Sequence, residues 1–297
     1  MKRYFEGWYF KAQNKNQIVA VIPAIHIERD GKKSASIQLV TDQGAWNVVF
    51  PYEQFSAKGR MPHITIGDNI FTRQQLHLHI QNTAVTAWGD LKFGALSPLS
   101  YDIMGPFHFL PLMECRHSVY SMGHHVSGEL TINGEKYRFY RDVGYMEGDR
   151  GRSFPIHYAW TQCNFGDAGG GEANRDEYLS NSLMLSVAEI PWGPFHFTGI
   201  IGVIHYRNKE YRIATYLRAK VDVLSQGKIV VSQGALHFTA ELRGEKKIPL
   251  YAPVNGSMVR FVNESLVCTT AYTLEEYGET IFSFETDRAS FEYEYPR

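Results

Sequence analysis

The sequence predicts an all-β protein built as two tandem antiparallel β-barrels. Three observations carry that expectation. Apolar and polar residues alternate over short segments, turn residues interrupt them at fairly regular intervals, and helical periodicity is scarce. The length of 297 residues exceeds one small barrel and suits two domains of about 150 residues each. A hydrophobic fraction of 44% supports sizeable cores, and 18 Tyr with 18 Phe supply rings that suit strands and apolar walls.

The elements follow in order. Val19 to Ile27 is β-rich and alternating, as are Ser36 to Leu39, Trp46 to Val49 and His63 to Ile66. Leu76, Leu78 and Ile80 alternate with His77 and His79 in a period of two. Gly128 to Phe139 reads as a hairpin turning at Asn133-Gly134, a type I′ signal. In the second half, Leu183 to Ile190, Phe197 to Tyr206 and Tyr211 to Leu217 read as strands, the last two joined by Arg207 to Glu210. Lys228 to Val231, Ala235 to Leu242, Leu266 to Leu274, Thr280 to Phe284 and a closing strand near Phe291 to Tyr295 complete the set. Ser265 to Glu276 has helix-like length, but Val267, Thr269, Thr270 and Tyr272 favour a strand. The Gly-rich, acidic stretch 166–177 reads as a surface loop, with a lid as the sharper alternative.

Gly7-Trp8-Tyr9 resembles the Gly-x-Trp opening of a lipocalin barrel, in which the Trp plugs one end. Tyr158-Ala159-Trp160 is positioned to open a second barrel. The expectation is therefore a lipocalin-like barrel over residues 1–154 and another over 155–297. Gly-Pro-Phe-His-Phe occurs at 105–109 and again at 193–197, an offset that does not match the Trp8-to-Trp160 spacing. The pentapeptide is therefore read as a coincidence and not as the repeat unit.

Bulk properties exclude several classes of partner. A net charge of −1 gives no basic excess for a nucleic-acid backbone or an anionic membrane surface. The three cysteines form no CxxC pair and are odd in number, which argues against a disulfide framework and for a reducing compartment. The N-terminus lacks the apolar stretch of a signal peptide, and no run of about 18 apolar residues exists. A cytoplasmic protein that touches membranes only transiently is expected.

Chemistry concentrates between Met104 and Asn164. In a strand, Tyr145, Glu147 and Asp149 share parity and face one way. Two carboxylates crowded in a poorly solvated place cannot both ionise cheaply, so one pKa rises. A carboxylic acid held protonated near neutral pH is what alkene protonation needs, and Tyr145 is placed to orient it. Strand carboxylates are also commonly just solvated. His117 shares parity with Met113, Cys115, Val119 and Ser121. It reads either as a buried His on a carbonyl or as a proton relay. Glu114 falls on the opposite face and reads as structural, paired with Arg3 or Arg116. Trp8 and Trp160 read as barrel plugs whose rings also suit shielding of a cation. Glu6 shares the face of Trp8 and is a weaker acid candidate. Phe107 completes the apolar substrate-contact candidates. No metal site is expected: His77 and His79 share a face and His124-His125 diverge, with no carboxylate or thiolate at a familiar interval.

Several motifs together resemble the tocopherol cyclase family. They are Glu6-Gly-Trp-Tyr-Phe-Lys11, Pro111-Leu-Met-Glu with His117 and Ser121-Met122, Gly144-Tyr-x-Glu147, Gly151-x-Ser-Phe-Pro155 and Trp160-x-Gln-Cys-Asn164. The resemblance implies a lipocalin-like fold related to bacterial carotenoid hydratases. It also implies chemistry without a redox cofactor: an acid protonates a prenyl double bond and an oxygen nucleophile captures the tertiary cation. The hydratases carry a carboxylate at the position of Glu147, which supports Glu147 as the acid. Arg150 and His157-Tyr158 stand where the family usually has Trp, which makes the site more polar. The implied ligand is apolar: a prenyl quinol, a carotenoid or another lipid.

Three readings follow. An enzyme predicts a long apolar cavity with Glu147 at its reacting end. A binding module predicts a cavity without an acid aimed into it. A scaffold predicts filled barrels.

Overall fold

The computed structural model describes residues 3–58, 62–110, 113–166, 176–192, 195–245, 248–254 and 257–295. Strand accounts for most of the described residues. The Gly-rich stretch lies almost wholly outside the described residues, as do Pro111 and Leu112 of the motif region. By its contacts the chain divides into two compact units. The first comprises residues 1–99, 117–154 and 251–261; the second comprises 100–116, 155–250 and 262–297.

The first sheet has eleven strands: β1 (Tyr4–Gln13), β2 (Ile18–Ile27), β3 (Lys33–Thr41), β4 (Ala45–Pro51), β5 (Phe55–Ala57), β6 (His63–Ile66), β7 (Asn69–Thr72), β8 (Gln75–Gln81), β9 (Thr86–Phe93), β10 (Cys115–Ile132) and β11 (Glu135–Gly151). Its order is β4-β3-β2-β1-β11-β10-β9-β8-β7-β6-β5. Every neighbour is thus the next strand in sequence, and β1 pairs with β11. The two edges, β4 and β5, are joined by one 3₁₀ turn, Tyr52–Gln54. That short link brings the edges round towards each other, so the meander curls into a near-barrel, which limits open edges.

The second sheet repeats the plan with β12 (Tyr158–Asn164), β13 (Ser182–Trp192), β14 (Phe195–Tyr206), β15 (Lys209–Ala214), β16 (Lys220–Ser225), β17 (Lys228–Gln233), β18 (Leu236–Glu245), β19 (Ile248–Val254), β20 (Ser257–Glu276) and β21 (Glu279–Tyr293). Here β12 pairs with β21, and the 3₁₀ turn Thr215–Leu217 links the edges β15 and β16. Two sequence expectations are corrected here. The β14–β15 connection is only Arg207-Asn208, both left-handed at φ 48° and 63°, because a two-residue turn matches the strand twist. The strand then stops at Ala214, and Thr215 to Leu217 turns instead of extending. Among the described residues, no helix is long and apolar enough to cross a membrane.

Each sheet encloses one apolar cluster. In the first unit Trp8, Phe10, Ile37, Leu78, Val126, Tyr137 and Met146 are among the inward residues. In the second, Ala159, Cys163, Val187, Phe238, Tyr272 and Phe291 are. The inward parity of β11 changes from odd at Tyr137 and Phe139 to even at Met146. Between them Arg141 sits at φ 50°, and the N–H groups of Tyr140 and Arg141 donate to the side chains of Asp142 and Ser127. An irregularity of this kind shifts which residues face the core.

Two buried histidines tie stability to pH. Burial, with a smaller push from His125, brings the His124 pKa down to about 3. Burial alone brings that of His26 down to about 4. Unfolded histidine takes up a proton below about 6.5, whereas these two do not until pH 3–4. The unfolded state therefore binds more protons in that window, and stability falls as pH drops through it. Urea titrations at pH 6.5 and 5.0 are expected to differ by about 3 kcal/mol from this pair. A His124→Gln variant should lose about half of that difference; an unchanged pH slope would refute the assignment.

Candidate active site

The β10–β11 hairpin builds the site. Asn133 and Gly134 take φ 49° and 85°, the left-handed pair that a type I′ turn requires. The hairpin brings His117 on its first arm to Glu147 and Asp149 on its second. On its other side β11 pairs with β1, with Tyr9 opposite Glu147, Gly7 opposite Asp149 and Lys11 opposite Tyr145. Trp8 and Phe10 oppose Gly148 and Met146 on the alternate face, and Trp8, Phe10 and Met146 belong to the barrel core. Tyr145, Glu147 and Asp149 therefore share a face, as their parity requires, and it is the outer face of the sheet. That face is nonetheless buried: Tyr145 is 1% and Glu147 7% exposed.

The four groups form one network. Tyr145 Oη donates to Glu147 Oε2 at 2.6 Å. His117 Nδ1 lies 3.0 Å from Asp149 Oδ1, and His117 Nε2 lies 3.3 Å from Glu147 Oε2. The second contact is an ion pair without hydrogen-bond alignment, since Nε2 is buried and has no hydrogen-bond partner. Burial alone would lower the His117 pKa, but the charges of Asp149 and then Glu147 outweigh it and hold the pKa well above the usual value. The pair of acidic side chains thus favours the protonated form of His117 between them. Burial first, and the Glu147 charge second, push the Tyr145 phenol well above its ordinary pKa, so Tyr145 stays a donor. Such a network holds a mobile proton away from water.

His117, Glu147 and Asp149 also place potential ligand atoms within 4.8 Å of one another, a spacing that a metal ion can bridge. Sequence reasoning expected no metal site because it weighed only histidines close in sequence; this trio is assembled across a hairpin. His77 likewise meets a carboxylate across the sheet, Asp90 at 2.8 Å.

The remaining candidates lie elsewhere. Glu6 and Trp8 share a face, but it is the inner one: Tyr4 donates to Glu6 at 2.7 Å, and Trp8 stacks on Phe55 at 6.4 Å within the core. Trp8 lies in the first barrel's core and is turned away from the cluster. Trp160 is corrected. Its neighbour Ala159 lies in the second core, so strand alternation puts Trp160 on the opposite face, buried but outside that core. It plugs no barrel. Phe107 belongs to the second unit, in the 3₁₀ turn Gly105–Phe109, where its ring meets Phe197 at 5.9 Å and Tyr216 at 5.6 Å. Glu114 also belongs to that unit and is half-buried ahead of β10. Arg116, one of its expected partners, donates to the Leu110 carbonyl at 3.4 Å. Sequence reasoning missed His26, whose place on the outer face shows only once the β1–β2 register is known.

Comparisons with known proteins agree with this architecture. CghA crystallised with Sch210972 aligns at TM-score 0.58 and 10% identity, over 98% of this chain and 88% of that one. Kievitone hydratase from Nectria haematococca aligns at TM-score 0.55 and 10% identity, with the same coverage. At such identities these likenesses establish the lipocalin-like fold. No curated protein sequence matches. The model of the family described as Tocopherol cyclase-like matches residues 50–293, a span that contains His117, Tyr145, Glu147 and Asp149 and begins after Glu6–Lys11. The chain belongs to the tocopherol cyclase-like family.

Proposed function

We propose that this protein is an acid-catalysed cyclase or hydratase that protonates a prenyl-chain double bond. The observation that carries the reading is the buried Tyr145–Glu147–His117–Asp149 network. Family membership and the hydratase among the structural likenesses support the same chemistry. A proton passes from the network through Glu147 to the less substituted alkene carbon. A C–H bond forms and the adjacent carbon becomes a tertiary cation. An oxygen attacks that carbon, a C–O bond forms, and the oxygen's proton returns to the network through His117. If the oxygen is the substrate's own hydroxyl, the result is an isomer; if it is water, the product gains one water. No electrons are transferred.

The carrier reading is less favoured because buried apolar side chains from nearly every strand pack into one cluster inside the first barrel. The long cavity expected inside a barrel with Glu147 at its end is not how this site is built, since Glu147 faces outward. Incubating the protein with a prenylated hydroquinone in D₂O tests the proposal. The expected product is an isomer or hydrate with one carbon-bound deuterium at the former alkene. Absence of product, or product without deuterium, refutes it.

A further inference from the structure

We propose that His26 and Ser36 form the far end of the substrate site, a polar anchor for a neutral hydroxyl on a molecule whose double bond reacts at Glu147. The inference rests on the acid-catalysis reading above. Register places these residues. Gly7 of β1 stands opposite Asp149 on one side and Ala24 of β2 on the other. Ser36 of β3 stands opposite Ala24, and His26 lies two residues along from Ala24. All of them therefore share the outer face with the acidic network.

His26 is 2% exposed. Its Nε2 lies 3.0 Å from Ser36 Oγ, while its buried Nδ1 has no hydrogen-bond partner. Buried polar groups are rarely left unpaired, and the exceptions call for an explanation; a hydroxyl on Nδ1 would supply one. Burial keeps the ring neutral, so Nδ1 offers a donor or an acceptor according to tautomer, and no charge. An anionic head group therefore gains nothing there, whereas a phenol or alcohol does.

The residues between the two ends are small. Gly7 has no side chain and Ala24 has only a methyl. A Cβ built on Gly7 would meet nothing nearer than the Ala24 methyl at 3.6 Å. Strand geometry sets Asp149 and His26 about 12 Å apart, and Glu147, two residues farther along β11, about 17 Å from His26. The occupant that fits is elongated and amphipathic, with a hydroxyl at one end and an alkene about 15 Å away.

Calorimetry with the chain-saturated analogue of a farnesylated hydroquinone measures binding without reaction. His26→Gln keeps a group at the Nε2 position and loses Nδ1; His26→Asn keeps a group at the Nδ1 position. H26Q is expected to bind about tenfold more weakly and H26N within about threefold of wild type. Gly7→Val adds bulk between the two ends and should also weaken binding about tenfold, with Tm little changed. In turnover of the unsaturated compound, H26Q should raise KM about tenfold with kcat within about twofold. Equal binding by H26Q and wild type, equal weakening by H26N and H26Q, or no binding by wild type overturns the anchor. Binding in the expected order without turnover would instead refute the catalytic reading and leave the anchor standing.

Discussion

Replacing Glu147 with glutamine is expected to lower kcat on a prenylated hydroquinone by about a thousandfold, the scale of losing a general acid, with far-ultraviolet circular dichroism unchanged. The substitution is isosteric, so the packing of a residue that is 7% exposed is kept. The amide oxygen can still accept from Tyr145. What disappears is the ionisable oxygen that lies between the Tyr145 hydroxyl and His117 Nε2. His117 keeps Asp149 on Nδ1, so it remains held but has lost its route to the alkene. Asp149→Asn removes the far partner of His117 and should cost less. Activity of E147Q within about threefold of wild type would show that another group delivers the proton.

Gly128→Ala is expected to be among the most damaging small substitutions in the first unit. Gly128 lies in β10 opposite Leu91 with φ 140°, a conformation L-residues rarely adopt. A Cβ there would overlap the Asp90 carbonyl oxygen and sit 3.1 Å from Leu91 Cα, both backbone atoms of the paired strand. Neither can move without opening the β9–β10 ladder that supports the long arm ending at His117. The cost is at least about 3 kcal/mol, which lowers Tm by roughly 6–12 °C. Gly134→Ala is the control, because its φ is 85° but nothing lies within 4 Å. It should cost only about 1 kcal/mol. Equal Tm losses in the two variants would show that backbone conformation, not the clash, sets the cost.

Much of the fold is legible in the sequence because a strand's period of two and a turn's dihedral demands are local properties. The Asn133-Gly134 turn, the strand through Leu266 to Leu274 and the shared face of Tyr145, Glu147 and Asp149 all follow from neighbours in the chain. Other features were not legible. The pentapeptide Gly-Pro-Phe-His-Phe forms a 3₁₀ turn at 105–109, yet its second copy ends inside β14, and Phe107 packs on Phe197. The shared Phe-His-Phe takes a 3₁₀ turn in one copy and strand in the other because its partners differ, which local propensity cannot anticipate.

The sequence by itself determined that this is an all-β, two-barrel chain and that a Tyr and two carboxylates line up on one strand face. Only the tertiary structure decided which face that is. Alternation names two faces without saying which is the core, and the irregularity around Arg141 reverses the parity partway along β11. Only pairing between β10 and β11, and between β1 and β2, could bring His117 against Glu147 and Asp149 and set His26 on the same face. Those contacts join residues far apart in sequence, and the opposite charges they bring together in a buried place are a property that no single strand possesses.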